Sequence, residues 1–169
     1  MGIVSLTGFM GSGKSSVGVR LASLLGWTFV DLDRYLERRC SRSIPDIFRE
    51  DGEEGFRRLE LESLRALLAE QGDDAQLVLS LGGGTVTREE ARNLVRTHTQ
   101  CVFLRTRPET LRERLARSWR KRPLLNTDTM ESLLESRLKD YMETASLVFD
   151  TDGLTPDEIA QRLYLHFKP

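Results

Sequence analysis

Short apolar runs alternate with amphipathic stretches along the chain. The runs predict five strands, at residues 3–7, 27–31, 76–81, 100–104 and 146–149. Several of the stretches between them repeat apolar residues at intervals of three and four, the period of a helix with one buried face. Strands that alternate with helices are typical of a parallel sheet covered by helices on both faces. No internal repeat, low-complexity tract or linker interrupts the pattern, so we expect a single α/β domain over residues 1–169.

Three helices are predicted in some detail. The first follows strand one and ends at Gly26, a residue type favoured just after a helix, with an apolar face of Val17, Leu21, Leu24 and Leu25. A polar stretch over residues 33–52 carries short helical pieces. A long helix then runs from about 53 to 71, with Phe56, Leu61, Leu64 and Leu68 as its apolar stripe. The last helix buries Ile159, Leu163 and Phe167.

Four capping boxes predict helix starts, because a threonine or aspartate is followed three residues later by glutamate. The pairs are Thr87 with Glu90, Thr106 with Glu109, Asp128 with Glu131, and Thr155 with Glu158. Pro156 supplies the preferred first helical residue of the last one.

Composition narrows the function classes. Hydrophobic residues make up 39% and charged residues 30% of the 169 residues, which is ordinary for a folded protein. The net charge of −1 and the pI near 6.2 give no support for nucleic acid or an anionic membrane as partner. No apolar run approaches the roughly 20 residues needed to span a bilayer. Cys40 and Cys101 lie far apart, without metal-ligand spacing. We therefore expect a soluble protein of the reducing cytoplasm.

The most specific motif is a glycine-rich loop between strand one and the first helix. Residues 8–15 read GFMGSGKS, which fits G-x-x-x-x-G-K-[ST]. Such a loop turns its backbone N–H groups around phosphate oxygens, and the helix N-terminus adds partial positive charge. Lys14 is expected to reach the β- and γ-phosphates, and the Ser15 hydroxyl to bind Mg²⁺. The motif predicts a nucleoside triphosphate site but does not name the reaction.

Two carboxylates, Asp31 and Asp33, follow the second strand. Residues two apart in a strand point to the same face, so we expect both at the carboxyl edge of the sheet, where ligands of open α/β folds bind. One could hold a magnesium-bound water while the other accepts a proton from an attacking hydroxyl. Alternatively, Asp33 caps the following helix. No Asn-Lys-x-Asp guanine-reading motif follows, which disfavours a GTPase.

Two further features have an ordinary structural interpretation. Arg57 lies between Glu53 and Glu60 on the long helix, so it could belong to a surface ion-pair ladder. Gly82, Gly83 and Gly84 close the third strand and suggest either a flexible turn or a backbone that approaches a ligand.

A basic segment precedes Pro123, with Arg112, Arg114, Arg117, Arg120, Lys121 and Arg122. Charge runs of this kind are usually solvated helix faces. In a phosphotransferase, however, such a segment can close over ATP and neutralise the transferring phosphoryl group.

Taken in order, these pieces resemble shikimate kinases over almost the whole chain. The resemblance rests on GFMGSGKS, the Asp31-Leu32-Asp33 segment, FREDGEEGFRRLE, LGGGTV and KRPLL. It implies a P-loop NTPase fold with three layers and a five-stranded parallel sheet of order 2-3-1-4-5. It also implies transfer of the γ-phosphate of ATP to the 3-hydroxyl of shikimate, on the route to chorismate and the aromatic amino acids.

The resemblance assigns roles to individual residues. Asp33 would bind the shikimate hydroxyls and act as base, with Lys14 and Arg122 as the other catalytic residues. Ser15 and Asp31 would order Mg²⁺, and Ser80 would contact a magnesium-bound water. The remaining assignments are ATP binding by Gly11, Ser12, Gly13, Lys14, Ser15, Ser16, Arg112 and Arg122, and substrate binding by Asp33, Arg57, Gly83, Gly84 and Arg137.

The resemblance also divides the domain, with a substrate-binding segment at about 33–60 and a lid at about 112–124, and it favours a monomer. The sequence departs from the family pattern after Arg137. The family reads R-x-P-x-Y there, whereas this chain has Lys139 in place of the proline, followed by Tyr141.

Two alternatives remain at this point. Another small-molecule kinase of the same fold, acting on gluconate or a nucleoside monophosphate, would also need a phosphate loop and polar acceptor groups. A catalytically silent nucleotide-binding module is the alternative from another class, although Lys14, Asp33 and Arg122 are all present.

Overall fold

A computed structural model describes residues 2–117 and 127–168, without the side chains of 127 and 128. The strands are β1 (Ile3–Thr7), β2 (Thr28–Asp31), β3 (Leu77–Ser80), β4 (Gln100–Arg105) and β5 (Leu147–Asp150). They form one parallel sheet of order β2-β3-β1-β4-β5. The predicted sheet order is confirmed, and the described strand bounds differ from the predicted ones by at most one residue at either end.

Helices cover both faces of this sheet. They are α1 (Lys14–Leu25), α2 (Leu32–Cys40), α3 (Ile44–Ala69), α4 (Glu89–His98), α5 (Pro108–Arg117), α6 (Thr127–Thr144) and α7 (Pro156–Phe167). A short 3₁₀ turn, Thr85–Thr87, follows β3. Among the described helices, none is both long enough and apolar enough to cross a lipid bilayer.

Alternating side chains of the strands fill two separate cores. On one face, Leu77, Leu79 and Phe103 pack with residues of α3, α4 and α6. On the other, Val78 and Val102 pack with α1 and α7. The alternation follows from the period of two along a strand. A third, small core under the predicted substrate segment joins α2 to α3 through Leu36, Ile47 and Phe56.

Two predicted helical details are confirmed and one is wrong. Helix α1 ends at Gly26, and α3 is broken at Gly52, with all four predicted stripe residues buried beyond the break. Leu24, however, is 43% exposed. The buried face of α1 includes Gly18 and Ala22 instead. Gly18 packs closely against β2, since a Cβ there would lie 2.5 Å from the Phe29 ring. These small residues allow α1 to approach β2 and leave Leu24 at the edge.

Of the predicted capping boxes, the structure shows only Thr155 with Glu158 in its described part. The Thr87 hydroxyl donates instead to the Gly84 carbonyl at 2.7 Å, and α4 starts two residues later. Thr106 bonds the Thr151 hydroxyl. The side chain of Asp128 lies outside the described residues, so its pairing with Glu131 stays a prediction. Threonine next to a helix finds alternative local or tertiary partners, which the spacing alone does not reveal.

Candidate active site

The phosphate loop joins β1 to α1 at the carboxyl edge of the sheet. Gly11 and Gly13 have φ of 82° and 93°, conformations that favour glycine. Lys14 is the first residue of α1, and its Nζ donates to the carbonyls of Gly8 and Phe9 at 2.8 and 3.0 Å. The ammonium group therefore lies over the loop, where phosphate oxygens would find both a cation and a helix N-terminus.

The second strand ends at Asp31, and this corrects the argument made for the acidic pair. Asp31 caps α2, since its Oδ1 accepts from the backbone N–H groups of Asp33 and Arg34 at 3.0 and 3.3 Å. Asp33 lies in the first turn of α2 and not in a strand. The two carboxylates thus reach the sheet edge from a cap and a helical turn, and the capping role proposed for Asp33 belongs to Asp31.

Three oxygen atoms suited to Mg²⁺ converge beside the loop. The Ser15 hydroxyl donates to Asp31 Oδ2 at 2.8 Å and lies 3.4 Å from the hydroxyl of Ser80, at the end of β3. Mg²⁺ prefers one or two carboxylates with hydroxyl, water and phosphate oxygens. Within residues 2–117 and 127–168, no cluster of three or more His, Cys, Asp or Glu side chains could hold a metal ion. The donors fit a magnesium ion that is shared with nucleotide phosphates.

Asp33 has an unusual electrostatic environment. Burial raises the pKa of its carboxyl group to about 6, and the negative charges of Glu60 and Asp31 add to the rise, against the opposing charges of Lys14 and Arg57. A carboxylate with a pKa near 6 is ionised in most molecules at neutral pH and still binds a proton readily. Asp33 therefore has the properties of a general base.

The glycine turn after β3 lies at the centre of the site. A Cβ on Gly82 would approach Asp33 Oδ1 to 3.2 Å and Glu60 Oε2 to 2.8 Å. A Cβ on Gly84 would lie 2.6 Å from Cζ of Arg57. Side chains at these positions would fill the space that the charged groups occupy, which explains why glycine stands at Gly82 and Gly84. The predicted approach of this backbone to a ligand stays a prediction.

Arg57 belongs to a buried network and not to a surface ladder. It donates to Glu60 Oε1 at 2.7 Å, and the two side chains are only 13% and 3% exposed. The other carboxylate oxygen of Glu60 accepts from the Thr85 hydroxyl at 2.8 Å. The spacing had indicated the pair with Glu60, but not its burial. Glu60 thus orients Arg57 toward the glycine turn, a role that the sequence analysis missed.

Arg137 reaches the same turn from α6. It is 9% exposed, its guanidinium lies 5.8 Å from the centre of the Phe9 ring, and a Cβ on Gly83 would be 3.7 Å from its Nη1. One helical turn later, the Tyr141 hydroxyl donates to the Gly83 carbonyl. Burial raises the pKa of Tyr141 to about 12, so this donor keeps its proton at neutral pH. Two arginines from different helices therefore face one glycine turn.

Lys139, which stands where the family pattern has proline, is an ordinary exposed residue of α6. Its ammonium group lies 3.6 Å from Glu143 one turn later, and its side chain is 82% exposed. The substitution leaves α6 continuous through Arg137 and Tyr141.

Two arginines of the basic segment, Arg112 and Arg114, lie in its described part and make different contacts. Arg112 pairs with Glu131 of α6. Arg114 donates to the Gly11 carbonyl of the phosphate loop at 2.9 Å. Arg114 was not selected from the sequence, although it belongs to the same run. The predicted contact of Arg112 with ATP stays a prediction, and Arg122 lies outside the described residues.

A Gly84→Ala variant tests the close approach at the turn. The new methyl group would displace the Arg57 guanidinium, so we expect KM for the acidic acceptor to rise about tenfold with KM for ATP unchanged. Gly72→Ala is the matched control, because no atom lies within 4 Å of a Cβ there. Equal KM values for Gly84→Ala and wild type in steady-state assays would contradict the crowded geometry.

The fold and the site together define a small-molecule kinase of the P-loop class, in which a phosphate loop lies beside oxygen atoms suited to Mg²⁺, a carboxyl group with a raised pKa and two largely buried arginines. A family model described as shikimate kinase matches residues 10–168. The chain therefore belongs to the shikimate kinase family, whose members use ATP as phosphoryl donor.

Individual relatives agree with this assignment. A shikimate kinase of Thermus thermophilus is 45% identical over 164 residues, covering 95% of this chain and 86% of the relative. One of Dictyoglomus turgidum is 40% identical over 160 residues, covering 92% and 91% of the two chains. The solved structure of a shikimate kinase from Acinetobacter baumannii in complex with shikimate superimposes with a TM-score of 0.88 at 34% identity, covering 99% of this chain and 95% of that one.

Proposed function

We propose that the described site carries out the shikimate kinase reaction, in which the γ-phosphate of ATP is transferred to the 3-hydroxyl of shikimate. The products are shikimate 3-phosphate and ADP, on the route to chorismate and the aromatic amino acids. The observation that carries the proposal is the convergence of Arg57 and Arg137 on the glycine turn next to the Asp33 carboxyl. A small polyhydroxy acid needs cations for its carboxylate and an acceptor for its hydroxyl protons, and this site supplies both.

On the nucleotide side, we assign the phosphates to the amides of residues 11–16 and to the Lys14 ammonium group. Ser15 and Asp31 would hold Mg²⁺, with Ser80 against one of its waters. The 2.8 Å contact between Ser15 and Asp31 supports this assignment. A bound Mg²⁺ would supply charge neutralisation between the phosphate oxygens. Arg112 and Arg122 complete the proposed ATP contacts from the segment at about 112–124, the proposed lid of this single domain.

On the acceptor side, we assign the shikimate carboxylate to Arg57 and Arg137 and the ring to the amides of Gly83 and Gly84. The segment at about 33–60, which contains α2 and the first part of α3, would form the wall of this pocket. Asp33 would bind the reacting hydroxyl and accept its proton as the phosphoryl group arrives. Phosphoryl transfer needs mainly positioning and charge neutralisation, so these residues require no covalent intermediate.

The test is ATP consumption by the purified protein with Mg²⁺, comparing shikimate, gluconate, nucleoside monophosphates and no acceptor. We expect ADP release that depends on shikimate. Turnover with gluconate or a nucleoside monophosphate instead would contradict the proposed shikimate site, whereas the phosphate loop would still be the ATP site. Folded protein that binds ATP but turns over with none of these compounds would favour the silent nucleotide-binding module.

The proposal also includes a monomer that works in the cytoplasm with small-molecule substrates and without a nucleic acid or membrane partner. Two free cysteines, one of them buried, are compatible with a reducing compartment. Size-exclusion chromatography with light scattering checks the oligomeric state.

The raised pKa of Asp33 predicts a pH-dependent stability. Between about pH 3.8, the ordinary value, and pH 6, the folded state binds more protons at Asp33 than the unfolded state. Stability is therefore lost as the pH rises through this window. Asp33→Asn should be more stable than wild type by up to about 3 kcal/mol at pH 7.5, with a smaller difference toward pH 4.5.

Urea unfolding with EDTA and without nucleotide measures this difference in free energy. Asp73→Asn, at an exposed turn, is the control for removal of a carboxylate. A stability difference between Asp33→Asn and wild type that stays constant across the pH range would show that Asp33 does not titrate as described.

A further inference from the structure

Arg92, on α4, joins three elements behind the site. Its Nη1 donates to the carbonyl oxygens of Val86 and Thr87 at 2.9 and 3.0 Å. The same nitrogen donates to Asp140 Oδ1 of α6 at 3.0 Å. The side chains of Arg92 and Asp140 are only 18% and 21% exposed, so this contact is partly shielded from water.

The two carbonyls end the 3₁₀ turn that follows the glycines. Carbonyls at the end of a helical turn have no partner within the turn, and a cation placed there satisfies them. The start of the turn is closed by the Thr87 hydroxyl, which donates to the Gly84 carbonyl. Arg92 therefore links the turn that follows Gly84 to both α4 and α6.

Asp140 adds an electrostatic consequence. It lies three residues after Arg137 and next to Tyr141, and residues three apart on a helix are neighbours. Arg92 forms an ion pair with the Asp140 carboxylate. A second acid, Glu143, lies 3.9 Å from the Arg92 Nε. Without Arg92, Asp140 could turn to Arg137 and compete with an acidic substrate for that guanidinium.

We infer that Arg92 is a positioning residue for the acceptor site: it holds the glycine turn against α6 and keeps Asp140 away from Arg137. The inference rests on the proposed binding of the shikimate carboxylate by Arg57 and Arg137. Arg92 itself touches no reacting atom and acts through Gly84 and Arg137.

The first test is Arg92→Gln in steady-state kinetics. We expect KM for shikimate at saturating ATP to rise about tenfold, and KM for ATP to stay within about twofold of wild type. Arg92→Lys, which keeps one charged donor, should give an intermediate KM for shikimate.

Two controls separate positioning from general destabilisation. Arg96→Gln removes an exposed arginine one turn later on α4 and should leave both KM values unchanged. Thr99→Val removes buried hydrogen bonds to Ser5 and Val95 at the far end of α4. It should lower Tm without raising KM for shikimate. If Thr99→Val and Arg92→Gln have similar Tm values and only Arg92→Gln raises KM, loss of stability does not explain the rise.

The second test is the double variant Arg92→Gln/Asp140→Asn. Because the competing carboxylate is neutralised, we expect its KM for shikimate to fall below that of Arg92→Gln alone. Neutralising Asp140 also relieves the stability cost of a partly buried carboxylate that has lost its cation. A larger folded fraction raises the maximal rate but leaves KM unchanged, so a fall in KM reports the competition for Arg137 and not the gain in stability.

Three results would overturn this inference without affecting the proposed function. They are an unchanged KM for shikimate in Arg92→Gln, an equal rise in its KM for ATP, or a KM for shikimate in the double variant that is no lower than in Arg92→Gln. These results presuppose that wild type phosphorylates shikimate and that Arg57→Ala impairs it. Wild-type protein without shikimate turnover would overturn the proposed function together with this inference.

Discussion

Replacing Asp33 by asparagine is expected to lower kcat by about 10²- to 10⁴-fold while ATP affinity stays close to wild type. The variant keeps the size of the side chain but cannot accept the proton of the attacking hydroxyl. The Asp33 carboxyl lies beside Gly82, at the turn to which the acceptor is assigned and outside the phosphate loop, so its loss should affect the chemical step more than nucleotide binding. The proposed base also predicts that the wild-type rate falls below about pH 6, where Asp33 becomes protonated.

The measurement pairs kcat from coupled ADP release with the Kd of ATP from calorimetry, over a range of pH. Asp73→Asn serves again as the control and should keep full turnover. Near-normal turnover of Asp33→Asn would remove Asp33 from the mechanism. A wild-type kcat that stays constant between pH 5 and 7 would show that protonation of Asp33 does not control the rate.

Replacing Arg57 by alanine is expected to raise KM for shikimate by about 10²-fold with little effect on KM for ATP, because a charge-assisted contact to the carboxylate is lost. A second effect follows from the network. The positive charge of Arg57 lowers the pKa of Asp33, so the acid limb of the pH–rate profile should move to higher pH in the variant.

Arg57 also forms a buried ion pair with Glu60, so Arg57→Ala affects stability as well as substrate binding. Removal of Arg57 alone leaves a carboxylate that is 3% exposed without its cation, which destabilises the fold. The double variant Arg57→Ala/Glu60→Gln relieves that cost and should still bind shikimate weakly. Arg58→Ala, at the exposed neighbouring position, is the matched control. An unchanged shikimate titration in folded Arg57→Ala would return Arg57 to a structural role.

The glycine turn explains why these effects converge on the acceptor. Gly82 adjoins Asp33 and Glu60, and Gly84 adjoins Arg57. The Asp33 carboxyl and the Arg57 guanidinium thus lie at the two ends of the turn, beside Gly82 and Gly84. A substrate with a hydroxyl at one end and a carboxylate at the other fits this order of charges.

Local patterns sufficed for the features that depend on neighbouring residues. The strand and helix order, the phosphate loop, the end of α1 at Gly26 and the break at Gly52 follow from periodicity and from the backbone preferences of glycine. Sheet order came from the resemblance to a family, since periodicity within a strand carries no information about its neighbours in the sheet.

Other features required tertiary structure. The sequence predicted that Asp31 and Asp33 lie on the same face of one strand, because they are two residues apart. The strand ends at Asp31, however, because that side chain caps α2. Arg57 and Glu60 looked like a surface pair at helical spacing, and only the packing of the 3₁₀ turn against α3 shows that they are buried. Spacing fixes which residues are neighbours on a helix, not which face of it is covered.

The sequence by itself determined the nucleotide loop, the α/β alternation and the set of residues available for chemistry, since these depend on residue type and on contacts within a few positions. Tertiary structure alone decided that Arg114 rather than Arg112 contacts the phosphate loop, and that Arg92 joins the glycine turn to α6. These contacts span up to 103 positions of the chain. The packing of helices on the sheet brings such side chains together, and no local pattern encodes which of several similar arginines arrives.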